Sequence, residues 1–158
     1  MDSPSPDEAT LWQRRLAAQA NNRAWRLSES TSRSPHEDEE MLGAAHAARY
    51  FWNLVGNAGQ RAHAAQLLAH VYALLKLPDP ANHYLRQSEP FFLGQDCQAW
   101  EKACAWAVKA SVAAASGRSE DHASSYRQAE RLIAALPDPE DRTILDATLR
   151  VVRKPDGA

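Results

Sequence analysis

Isoleucine occurs twice in 158 residues, and β-branched side chains as a whole are few. A chain so poor in these residues has little to build strands from, and its abundant alanine favours helix. There is no apolar run approaching the roughly 18 residues needed to cross a bilayer, so a membrane span is not expected. Basic blocks are missing too. Arginine outnumbers lysine, but the arginines alternate with acids and the formal net charge is −2, which argues against a nucleic-acid partner. The sequence has no GxSxG nucleophile motif and no glycine-rich phosphate loop. Its six glycines fall mostly at places that read as turns and caps, so no catalytic residue is assigned.

Only two cysteines are present, Cys97 and Cys104. On one helix their Cα atoms would stand about 10 Å apart, beyond the roughly 7 Å that a disulfide spans. Both read as buried structural thiols, and the expected location is the reducing cytoplasm. The opening MDSPSPDE is acidic and proline-rich, unlike a secretion signal. The domain plan is therefore a disordered lead-in over 1–6, one all-helical domain over 7–153, and a disordered tail over 154–158.

Apolar residues recur at three and four rather than two, and this periodicity divides the chain into seven helices. The first should run from Pro6 to Ser28, with Trp12, Leu16, Ala20 and Leu27 as its apolar line. Ser34, Pro35 and Glu37 form a cap, a first-turn proline and a capping-box acid, opening a second helix that lasts to Val55. The acidic run HEDEE therefore reads as first-turn dipole chemistry, not as a metal site. A third helix is expected over Gln60–Lys76 and a short fourth over Pro80–Ser88, closed by Pro90. The fifth should open at Asp96 and end at Ser116 with Gly117 as its C-cap. The sixth, Ser119–Leu136, starts on a serine cap. The seventh follows Asp138 and Pro139, with Ile144, Leu145, Thr148, Leu149 and Val152 on one face.

Within residues 65–92, Leu68, Ala69, Tyr72, Ala81, Leu85 and Ser88 alternate large, small and aromatic side chains across a helical pair. This pattern resembles the tetratricopeptide repeat, a unit of about 34 residues. Ala110, Gly117, Tyr126 and Ala129 give a looser second unit over about 106–136, with His122 where a small residue is expected. The resemblance implies an all-α fold of antiparallel hairpins stacked into a right-handed superhelix; the alternative is a compact helical bundle. It further implies a groove that holds a peptide or protein partner.

Two polar stripes are candidates for that groove. His46, Arg49 and Tyr50 share one side of the second helix, beside Phe51 and Trp52, which periodicity assigns to the core. His63, Gln66 and His70 share a side of the third helix. The leading expectation is a non-enzymatic interaction module whose groove is lined by helices two, three and five. The alternative is a small enzyme or small-molecule sensor in which His46, Arg49, Tyr50, His63 and His70 converge, an imidazole acting as acid or base. His63 and His70 lie seven residues apart, about 10 Å along an axis, too far to share one ion, so neither metal nor cofactor is expected. The arginine-lined first helix is a candidate homodimer surface.

Overall fold

The computed structural model describes residues 5–94 and 96–157. Among the described residues the chain forms seven α-helices and no strand. They are α1 (Pro6–Ser28), α2 (Pro35–Val55), α3 (Ala58–Leu74), α4 (Pro78–Phe92), α5 (Ala99–Ala115), α6 (Ser119–Ala134) and α7 (Pro139–Arg150). No helix among them is long and apolar enough to cross a membrane.

Their starts follow from local chemistry. Ser5 with Glu8, Ser34 with Glu37 and Asn57 with Gln60 form reciprocal capping boxes at α1, α2 and α3, each satisfying donors that the first turn leaves free. Asp138 accepts from the Glu140 amide ahead of Pro139 and opens α7. At α6 the expected serine cap is corrected: Ser119 is already helical, and Arg118 holds the cap position without a side-chain bond to the first-turn amides.

Two helix ends share one geometry. After α3, the Leu77 amide donates to Tyr72 O and the Lys76 amide to Ala73 O, while Lys76 has φ +60°. After α5, the Arg118 amide donates to Ala113 O and the Gly117 amide to Ala114 O, with Gly117 at φ +69°. Both are six-to-one closures around a left-handed residue. The offset that carries Lys76 onto Gly117 also carries Ala81, Leu85, Ser88 and Phe92 onto His122, Tyr126, Ala129 and Ile133. All eight are buried. The hairpins α3–α4 and α5–α6 thus repeat in turn and in buried register.

α3 lies at the centre and packs on α1, α2, α4 and α5; α5 packs in turn on α7. The first helices of the hairpins therefore neighbour one another in series, α1 to α3 to α5, with α7 beyond. This order is compatible with a helical repeat. Burial on α3 and α5 is dominated by alanine, including Ala62, Ala65 and Ala69 on one and Ala103, Ala107 and Ala110 on the other. Small side chains let the backbones approach, and Leu67, Leu68, Val71 and Val108 fill what remains.

Packing overrides several expectations. α4 continues through Pro90 to Phe92 instead of closing before it. Phe92 is wholly buried against Ala62 and Ala105, and that burial offsets the hydrogen bond Pro90 cannot donate. On α1 the buried positions are Ala17, Ala24, Leu27 and Ser28, whereas Trp12 and Leu16 are exposed. Among the described residues this helix packs mainly on α2 and α3, so its buried face is narrow and set by alanine rather than by its largest residues. Phe51 and Trp52 are half-buried, not core. α5 begins at Ala99, which leaves Cys97 ahead of the helix, half-buried and donating to Phe92 O, while Cys104 alone is fully inside it. At the ends, residues 1–4 of the expected lead-in and Ala158 of the expected tail lie outside the described residues; Pro155 is buried.

Candidate ligand-binding groove

The stripes of α1, α3, α5 and α7 that face the same side enclose a cleft of about 510 Å³. Each contributes residues at three- or four-residue spacing, as one face of a helix must. They are Asn21, Trp25 and Glu29 from α1 and its C-cap, Gln60, His63 and Gln66 from α3, and Trp100 and Cys104 from α5. α7 adds Asp141, Ile144, Leu145 and Thr148, and α2 adds Trp52. Three indoles and two acids line the cleft, and among the described residues no lysine or arginine does.

His63 is held from several directions. Its Nε2 lies 2.8 Å from Glu101 Oε1, and its ring stacks on Trp100 with centroids 5.6 Å apart. The Phe92 ring meets it edge-on at 4.8 Å. The other Glu101 oxygen accepts from the Gln98 amide, and the Trp100 indole donates to Gln98 Oε1. A helix start thus fixes the acid, the acid fixes the imidazole, and the imidazole braces the indole.

Deeper in the same wall, the Gln66 side chain donates from Nε2 to Cys104 Sγ at 3.0 Å, while its Oε1 is buried with no partner. Burial pushes the Cys104 thiol up to about 12 despite that bond, so it stands as a protonated thiol. His70 is fully buried and stacks on Trp25 at 5.6 Å; among the described residues neither ring nitrogen has a partner. Burial, and to a lesser degree the Arg33 charge, pushes its pKa down to about 4, so the ring is neutral near pH 7. Burial raises the pKa of Glu29, outweighing the opposing pull of Arg150 and Arg26.

The expected site residues divide. His63 and Gln66 line the cleft, and His70 backs Trp25 from inside the core. His46, Arg49 and Tyr50 do not line it. His46 Nε2 lies 2.7 Å from the Tyr72 hydroxyl, and Tyr72 stacks on Tyr84. Arg49 donates to Arg61 O and Gln87 Oε1 and lies over the Tyr84 ring. Tyr50 is exposed and meets Phe51 edge-on. The five side chains expected to converge therefore form two groups. Helices α2, α3 and α5, expected to line a groove, all contribute to this cleft, and α1 and α7 contribute as well.

Periodicity missed Trp25, Trp52, Trp100, Glu29 and Asp141, because an indole on a helix face reads alike whether it fills a core or a cleft. Ile144 carried a usable signal. It sits at the edge of the apolar face of α7, beside buried Leu145 and Thr148, and is half-exposed. Among the described residues, no group of three or more histidine, cysteine, aspartate or glutamate side chains is placed to hold a metal ion. Comparison with protein families, with curated proteins and with solved structures finds no match to this chain.

Proposed function

We propose that the chain is a non-enzymatic interaction module whose hairpins form a tetratricopeptide-like right-handed superhelix, and that its cleft holds an extended or helical segment of a partner protein. The observation that carries this reading is the cleft itself. Four helices, the first of each hairpin and α7, turn one stripe apiece toward it, and three indoles face it. Aromatic side chains supply large contact area with little rotamer freedom to lose, which is why they anchor interfaces. His46 Nε2 and the two terminal nitrogens of Arg49 are bonded to Tyr72, Arg61 and Gln87, away from the cleft, which supports a packing role for this pair. The module acts by holding.

A photo-crosslinking amino acid placed at Ile144, in the cleft, and separately at Tyr50, on the other group, tests this in cells. The expected result is a discrete crosslinked polypeptide from position 144 that disappears with Trp52→Ala. Crosslinks from position 50 alone, or a position-144 product indifferent to Trp52→Ala, would refute the groove as the contact surface.

A further inference from the structure

The cleft's chemistry narrows what it can hold. Its two carboxylates stand on the outer walls, Glu29 at the C-terminal end of α1 and Asp141 in the first turn of α7. The indoles lie on the helices between and beside them. The C-terminal end of α1 adds the negative pole of its own dipole next to Glu29. Arg26 and Arg150 reach Glu29 through space, but among the described residues neither forms an ion pair with it. No guanidinium or ammonium group lines the walls.

A second observation is independent of that charge pattern. Gln66 is almost wholly buried in the cleft wall, and its Oε1 is an acceptor without a donor. A buried acceptor left empty is unfavourable, and a ligand N–H that meets it once the side chain turns toward the cleft removes the penalty. Aromatic faces favour cations by their quadrupole, carboxylates favour them by charge, and an orphan carbonyl favours an N–H. An acidic or purely apolar ligand satisfies at most one of the three.

We infer that the partner segment is basic, and that it inserts a lysine or arginine side chain between the indoles, with its alkyl stem against Trp52, Trp100 and Ile144 and its charged head toward Glu29, Asp141 and the Gln66 carbonyl. This rests on the peptide-binding reading above. The stem covers apolar surface and the head finds the acids, a division that suits long basic side chains.

Three short fluorescent amphipathic peptides, identical in leucine pattern but carrying lysine, glutamine or glutamate at the polar positions, make the probe. Fluorescence anisotropy with the intact chain should give a lysine peptide bound about 10-fold or more tighter than the glutamine one, with the glutamate peptide weakest. The lysine advantage should shrink as salt shortens the screening length from about 10 Å at 0.1 M to about 3 Å at 1 M. Glu29→Gln with Asp141→Asn should bring the lysine and glutamine peptides together while circular dichroism stays unchanged. Trp52→Ala should weaken all three.

Equal binding of the three peptides, still sensitive to Trp52→Ala, would overturn the basic ligand and leave the groove standing. Tighter binding of the glutamate peptide would do the same. If no peptide binds, or binding ignores Trp52→Ala, the peptide groove and the basic ligand fall together.

Discussion

Replacing His70 by leucine should remove a pH liability from the core. The wild-type imidazole is buried completely, its two nitrogens have no partners, and its pKa lies at about 4 against 6.5 for the free side chain. Between those values the unfolded chain binds a proton that the folded chain does not, so stability declines as pH falls from about 6.5 toward 4. At about 1.36 kcal/mol per pH unit, the gap amounts to about 3 kcal/mol in full, of which about 2 kcal/mol is lost by pH 5. His46, whose pKa burial also lowers, acts in the same sense, so part of the slope will survive the substitution. Leucine is close to histidine in size and leaves no ring nitrogen to satisfy. His70→Leu should therefore be neutral or stabilising at pH 7. Urea unfolding followed by circular dichroism at pH 7, 6 and 5 is the assay. With a denaturant dependence of about 2 kcal/mol per molar, the wild-type midpoint should fall by about 1 M across that range through His70 alone. The variant's midpoint should move much less. If His70→Leu keeps the full wild-type slope, the imidazole is not the group whose protonation costs stability, and the account of a neutral, unpartnered ring is wrong.

Two glycines should respond in opposite directions to alanine. Gly43 lies inside α2 with open space where a Cβ would go, so Gly43→Ala should stabilise by about 0.5–1 kcal/mol. Gly117 also has open space but sits at φ +69°, so Gly117→Ala should cost about 1 kcal/mol and lower Tm by about 2–4 °C. Calorimetry that shows both moving together would contradict the assignment of the α5 end to a left-handed cap. The cysteines should differ in reactivity. Half-buried Cys97 should react with a thiol reagent in the native state, whereas Cys104, buried and raised to about 12, should react only on unfolding. Mass spectrometry showing Cys104 modified first would mean that the cleft wall opens in solution.

Much of the helix inventory was readable because its signals are local. Ser34, Pro35 and Glu37 start α2, Asp138 and Pro139 start α7, and Gly117 ends α5, each by chemistry confined to a few residues. What escaped reading depends on neighbours distant in sequence. Pro90 stays helical because Phe92 is gripped by Ala62 and Ala105. Trp12 is exposed because too few helices surround the first turns of α1 to cover it. His70 shares a stripe with His63 and Gln66, yet Trp25 from another helix closes over it. For α3 the stripe argument fails generally: four helices surround it and most of its circumference is buried. The cleft was half-visible, through His63 and Gln66. Its indoles were not, since aromatic type and spacing do not distinguish a lining from a filling.

The alanines between α3 and α5 have an effect that reaches beyond packing density. They set how near two walls of the cleft stand, although none of them is a lining residue. A single added methyl group at Ala69 or Ala107 would act as a wedge, prising the walls apart and changing the width of the cleft from a distance. On the proposed reading, affinity for a partner segment is thus adjustable at positions outside the cleft lining.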